Sequence, residues 1–369
     1  YNYFISNWYY MFDFVIIGGG IIGLVTAKEL HKNGATVAII EKGSPGQQAT
    51  WAAGGILSPM RPWHYSNPVN AISDLSQAVY QELSNELYQE TGIDPEWVLS
   101  GMLVLNDNDM PQALTWCQQY NASHEVVSTA CLSANFSHLR PIDEPALLRK
   151  NVATIRTNKL LAALTQYLKN KGLTFYNQQA EGLIIKDDSV IEVQTNSGKI
   201  RGKEYIICSG AWSPELIPDM YQKPRITPVK GQMISFPPVE IPDLCMVMDG
   251  DRYIIPRKDG RIVVGSTREH TGFDASKTQQ AFSDLRNFAQ QLFPTLNGIE
   301  PDAHWAGLRP SSPNSIPYIC RVDPVSNLSL NAGHYRNGIV TAPASATLLV
   351  DLLLGHELSI DASPYQLHR

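Results

Sequence analysis

FDFVIIGGGIIGLVTAKELHKNGATVAIIE, residues 12–41, is the stretch on which the reading of this chain turns. The run Phe14–Ile17 is apolar without alternation, the pattern of a strand covered on both faces in a parallel sheet. Gly18, Gly20 and Gly23 then fit GxGxxG, a helical segment follows, and Gly34 stands where a helix C-cap belongs. A second apolar strand ends at Glu41, eighteen positions after Gly23. The glycine pattern alone is weak. Set between strand and helix, with an acidic strand end at that distance, it predicts a βαβ dinucleotide site. Gly18 allows the tight turn, Gly20 lets a pyrophosphate reach the backbone, and Gly23 lets helix and strand pack closely. The helix N-terminus offers unpaired N–H groups to the phosphates, and Glu41 would accept hydrogen bonds from a ribose diol. NAD and FAD share this fingerprint, so it does not choose between them.

Working outward, a helix is expected near residues 70–91, with Ile72, Leu75, Val79, Leu83 and Leu87 on one face. After TGIDPEW (91–97) the texture changes to GMLVLND (101–107), a helix near 110–120 and a polar connection to LRPIDEP (139–145). TNKLLAALTQYLKNKG and LTFYN restore helix–strand alternation, and a hairpin turns at Asp187-Asp188-Ser189. KEYIICSGAW (203–212) is again an apolar strand ending in a glycine turn. Segments rich in β-formers follow, then a helix from Gln279, and finally strand, loop and helix at the chain's end. The expected fold is a two-domain α/β protein: a Rossmann-like module interrupted by an inserted, β-rich antiparallel-sheet substrate module. Residues 11–93, 145–217 and 303–369 are assigned to the first, 94–144 and 218–302 to the second. Residues 1–10 are set aside as an extension or expression remnant.

Composition excludes several classes of function. The 369 residues are 43% apolar and 17% charged, enough for a sizeable core, and the net charge of −6 comes without any basic block. Nucleic acid and anionic membrane surfaces are therefore poor partners. The five cysteines are scattered without a CxxC pair, which fits reduced thiols in the cytoplasm and gives no metal-ligand spacing. GIVTAPASATLLVDLLLG (338–355) carries Pro343 and Asp351 and reads as a docked helix, and YNYFISNWYYM lacks the basic start of a signal peptide.

The stretch EKGSPGQQATWAAGGILSP (41–59) is too rich in small residues for a plain connection, so its backbone approaches something bulky. Together with PVKGQ (228–232), RYIIPRKDGRIVVGST (252–267), WAGLRP (305–310) and GHYRNGIVTAPA (333–344), it resembles the FAD-dependent D-amino acid oxidase superfamily. The likeness covers nearly all of residues 11–355 and is greatest to glycine oxidases of the thiamine-pathway type, less to sarcosine oxidases. The resemblance implies FAD, held without a covalent bond because AGLRPSSP contains no cysteine. It implies cofactor contacts at Ile21, Ile22, Glu41, Lys42, Ala49, Thr50, Gly54, Gly55 and Ile56, near Glu181 and Gly210, and along His334, Tyr335, Arg336, Asn337, Gly338, Ile339 and Val340.

For the substrate, the resemblance implies that Arg336 holds a carboxylate with Tyr253, and that Arg309 lines the same pocket. A guanidinium fork matches a carboxylate in two contacts, which an ammonium cannot do. Arg268 departs from the family, where an apolar methionine is expected; it would narrow the pocket, attract a second carboxylate or face solvent. The implied reaction is oxidation of glycine, sarcosine or D-alanine by molecular oxygen, with no acid–base residue required, in an expected homo-oligomer. Among the histidines only His334 stands close to the expected cofactor loop. A dehydrogenase passing electrons to a quinone or protein partner, a flavin-dependent tRNA-modifying domain and a non-catalytic nucleotide-binding protein are the competing readings.

Overall fold

The computed structural model describes residues 12–105 and 108–368. Residues 1–10, expected to be an extension, lie outside the described residues. Strand β1 (Phe12–Ile17) leads into helix α1 (Ile21–Lys32) and strand β2 (Val37–Glu41), the βαβ unit the glycines predict. The sheet around it has six strands, in the order 318–321, 328–332, 202–207, β1, β2, 174–177. All neighbours run parallel except the antiparallel pair 318–321 and 328–332.

Side chains alternate across β1, so Phe14 and Ile16 enter one core while Val15 and Ile17 enter another. Helices cover the first face. A three-stranded antiparallel sheet (180–186, 189–195, 198–200) closes the second, its hairpin turning at Asp187-Asp188 with positive φ at both residues. Covering both faces is what the unbroken apolar run requires. Each such aliphatic side chain, once buried, contributes about 2 kcal/mol.

The second module is built on an eight-stranded sheet, in the order 303–311, 227–236, 262–265, 252–256, 246–249, 102–105, 146–149, 124–127. Three expectations change here. The sheet is mixed rather than antiparallel, because Met102–Leu105 joins Met246–Asp249 in parallel. These two strands come from separate passes of the chain, so no hairpin constrains their direction. Ala146–Arg149 and Ala303–Ser311, expected within the Rossmann-like module, are strands of this sheet. Nothing local in either segment says which sheet it joins, and only long-range pairing decides between them.

The third change concerns helix α2 (Asn67–Thr91). Leu75 and Val79 are 39% and 41% exposed, and the buried stripe runs instead through Ile72, Ser73, Ser76, Tyr80, Leu83 and Leu87. Small residues let α2 approach the last long helix, Gly338–Leu354, closely. That last helix packs on α1 and α2 with Ile339, Ala342, Ala346, Leu349 and Val350 in the core, as its docked reading requires.

At the start of α1 the packing leaves no room for a side chain: a Cβ at Gly23 would stand 1.9 Å from the Gly18 carbonyl oxygen. Gly23→Ala is therefore expected to lower stability by about 3 kcal/mol or more, read from the denaturant midpoint, because backbone rather than a flexible side chain must yield.

Candidate active site

The βαβ turn is shaped by its neighbours. Gly18 has φ +116°, and a Cβ there would meet the Cys208 carbonyl oxygen at 2.5 Å. The Gly19 N–H donates to Glu41 Oε2 at 2.8 Å, which fixes the carboxylate beside the turn. Thr50 Oγ1 accepts from the Ile21 N–H at 3.1 Å, tying the small-residue stretch to the first turn of α1. Farther along that stretch, buried Arg257 donates to the carbonyls of Gly54 (2.6 Å) and Ile155 (3.3 Å). The Trp305 indole N–H reaches the Ala52 carbonyl at 3.1 Å, and Ser311 bridges to His334. These bonds join the eight-stranded sheet to the Rossmann-like module.

Between the two modules lies one cavity of about 610 Å³. Its wall carries Gly18, Gly20, Ile21 and Ile22 from the βαβ turn, and Glu41 and Lys42 from the end of β2. Ala49, Thr50, Gly54, Gly55 and Ile56 line it from the small-residue stretch, with Glu181 and Gly210 from the middle of the chain. His334, Tyr335, Arg336, Asn337, Gly338 and Ile339 close it from the late loop, and Tyr253 and Arg309 from the eight-stranded sheet.

Three expected positions do not line the cavity. Gly23 packs beneath the turn, consistent with a steric role. Val340 is buried, because the helix that begins at Gly338 rotates it away from the wall. Arg268 points outward with its side chain 58% exposed, 3.7 Å from the Asp251 carboxylate. Solvent solvates its charge there, whereas the cavity already holds two guanidinium groups.

Those two groups dominate one region of the cavity. Arg309 donates to the Thr267 carbonyl (3.0 Å) and Ser266 Oγ (2.8 Å), and its guanidinium lies over Gly231, where a Cβ would come within 2.1 Å. Among the described residues, the Arg336 guanidinium has a single polar contact, Met60 Sδ at 3.8 Å. Burial lowers the Arg309 pKa; the Tyr253 phenol opposes that shift and the Arg336 charge adds to it. The acids on the wall, Glu41, Glu181 and Glu215, all belong to the Rossmann-like module. No carboxylate pairs with either arginine among the described residues. Tyr253, 6% exposed, places its hydroxyl 3.8 Å from Met233 Sδ on the same wall.

His334 is no proton carrier. Its ring bonds Asn331 Oδ1 through Nε2 (3.0 Å) and the Thr341 hydroxyl through Nδ1 (2.9 Å), and burial lowers its pKa to about 3. His64 pairs with Asp109 at the surface, and His270 is exposed.

Sequence reasoning missed several wall residues. Met60 and Tyr65 sit in the irregular stretch before α2, where no periodicity marks a buried face; burial raises the Tyr65 pKa. Trp212, directly after the quoted glycine turn, lines the cavity with the Lys42 ammonium 4.1 Å from its ring centroid. Gly231 stands inside PVKGQ, and its glycine requirement is the signal that something covers it.

The chain matches known proteins along most of its length. Residues 13–352 fit the family model described as DAO, FAD dependent oxidoreductase. A glycine oxidase of Pseudomonas aeruginosa is 41% identical over 95% of this chain and 97% of its own length. A bifunctional protein ThiO/ThiG of Trichormus variabilis is 30% identical over 93% of this chain but 52% of its own length. The crystal structure of glycine oxidase from Geobacillus kaustophilus superimposes with a TM-score of 0.92 at 26% identity, covering 97% of this chain and 99% of that one.

Arg309 is held by a polar network one residue away. Lys230, 1% exposed, pairs with Glu269 at 3.1 Å, and Glu269 also accepts from Gln232 (2.8 Å) and Thr267. Burial pulls the Glu269 pKa up, but the hydrogen bonds from Thr267, Gln232 and Lys230 outweigh it and leave the carboxyl below its usual value. Its stabilisation is thus complete above the ordinary carboxylate pKa and is lost as pH falls through the lower folded value. Glu269→Gln takes the nearer carboxylate from the buried Lys230 ammonium, which keeps the Ser276 carbonyl at 3.2 Å and the Asp274 carboxylate at 3.9 Å. It is expected to cost about 2 kcal/mol at neutral pH by chemical denaturation, and less in acid, where the native protein loses the same term.

Proposed function

The chain belongs to the DAO family of FAD-dependent oxidoreductases, and we propose that it oxidises glycine or another small amine such as sarcosine or D-alanine. For glycine, the overall reaction converts glycine, oxygen and water to glyoxylate, ammonia and hydrogen peroxide. The observation that carries the substrate class is the pair of guanidinium groups, Arg309 and Arg336, sharing one region of the cavity with no acid between them. Two like charges there call for an anion, and Tyr253 offers a third donor beside them.

The residues fit FAD. The βαβ turn leaves the Gly20 backbone open toward the cavity, as a pyrophosphate requires, and Glu41 keeps Oε1 for a ribose hydroxyl while Oε2 holds Gly19. Lys42, Glu181, Gly210 and Trp212 would border the adenosine part; Gly54–Ile56 and the backbone N–H groups of Asn337–Ile339 would border the reactive ring. When bound, FAD supplies the acceptor for the hydride that leaves the substrate Cα. Cys320 lies in the core and Cys208 is a buried thiol whose pKa is raised by burial, which supports a cofactor held without a covalent bond.

Arg336 and Arg309 would clamp the carboxylate in a single orientation, with Tyr253 donating to the same group. Orientation supplies much of the rate when no proton has to be taken by a side chain. Among the described residues, no carboxylate or free imidazole stands on the wall near the guanidinium pair: His334 has both ring nitrogens engaged and its pKa lowered by burial, so the amine must arrive neutral. Water then hydrolyses the imine. By its likeness to ThiO-type proteins, the chain's imine would serve thiazole formation in thiamine synthesis, in a cytoplasmic homo-oligomer.

Anaerobic titration with glycine, sarcosine and D-alanine should bleach the flavin absorbance of the purified protein; failure of all three removes this substrate class. Peroxide release in air distinguishes oxygen from a quinone or a protein partner as acceptor. Arg336→Ala should remain yellow while its glycine affinity falls about a hundredfold, and Arg336→Lys should restore only part of it, because the fork is lost. Unchanged affinity would take Arg336 out of the site.

A further inference from the structure

The helix that closes the cavity lacks one of its own hydrogen bonds just past the cavity wall. Pro343 lies inside Gly338–Leu354 and has no N–H, so the Ile339 carbonyl, four residues earlier, has no helical donor. The fully buried Tyr80 hydroxyl donates to that oxygen. The next N–H, at Ala344, donates outside the helix to Ser76 Oγ at 2.9 Å. Ser76 and Tyr80 stand one turn apart on the same buried face of α2, and both are 0% exposed. Helix α2 therefore supplies a donor to the carbonyl that the proline leaves without one, and an acceptor to the N–H that follows the proline. The turn so bonded begins with Gly338 and Ile339, which are on the cavity wall; Tyr80 and Ser76 are not.

We infer that Tyr80, assisted by Ser76, is a positioning residue that holds the first turn of this helix against the reactive ring of FAD. The inference rests on the reading of the cavity given above. Its consequence is electrostatic. Reduction gathers negative charge on the ring, and a fixed helix start, with its N–H groups presented to the cavity, favours that charge. Without the Tyr80 hydroxyl, the Ile339 carbonyl is buried and unpaired, so the turn shifts to find a partner. The proline makes this dependence specific: with an N–H at residue 343, the helix would satisfy Ile339 by itself and Tyr80 would become redundant.

The test is the midpoint potential of the purified, flavin-loaded protein by anaerobic dye equilibration, which needs no substrate. Tyr80→Phe is expected to keep the flavin and disfavour its reduced form about fivefold, roughly 20 mV for a two-electron couple. Tyr365→Phe is the matched control. It removes another buried tyrosine hydroxyl bound to a backbone carbonyl, that of Pro68 at 2.7 Å, which does not line the cavity. It should lower the melting temperature and leave the potential in place. Adding Tyr80→Phe to Pro343→Ala should produce no further shift.

An unchanged potential in Tyr80→Phe, or an equal shift in the presence and absence of Pro343→Ala, overturns the inference. If Tyr80→Phe alone does not fold, recovery of folding by Pro343→Ala supports it and failure to recover overturns it. A wild-type protein that carries no flavin would instead refute the cofactor reading itself.

Discussion

Two positive charges held in one cavity region without a counter-charge are the constraint around which the second module is arranged. Such a pair is tolerated only where the backbone supplies acceptors and the surrounding structure prevents retreat to solvent. Thr267, Ser266 and Gly231 provide that setting for Arg309, and the Lys230–Glu269 network fixes the strand that carries Gly231. Arg336 comes from the other module, on the loop after residues 328–332 of the six-stranded sheet. The two modules thus meet at a charge problem that neither completes alone.

The dinucleotide half was legible because its requirements are local. A tight turn, a close helix–strand contact and an acidic strand end each need a particular residue type at a fixed offset, and Gly18, Gly23 and Glu41 satisfy them within thirty residues. Arg309, Arg336 and Tyr253 were found through whole-segment resemblance, since no spacing connects residues so distant in the chain.

What could not be read depended on tertiary partners. The exposed Leu75 and Val79 followed helical periodicity, but the close approach of the last helix favours Ser73, Ser76 and Tyr80 on the buried side. Arg268 had no local feature to say which way it faces. Met60 and Tyr65 belong to irregular chain, where burial follows the shape of the cavity rather than any repeat. Residues 146–149 and 303–311, within ranges expected in the Rossmann-like module, are strands of the eight-stranded sheet, because strand character is local and strand pairing is not.

The order of the strands in the six-stranded sheet has a further consequence for how the chain is born. Its central pair of neighbours, 202–207 and β1, is separated by the first pass through the eight-stranded sheet, and residues 328–332 follow only after the second. While a ribosome is still making residues 208–327, the finished βαβ unit presents an open strand edge at 202–207, with the last helix not yet available to cover α1 and α2. Such an edge invites mispairing with other chains. The nascent protein is therefore most vulnerable to aggregation until residues 328–332 and the helix Gly338–Leu354 have emerged to cover that edge and those helices.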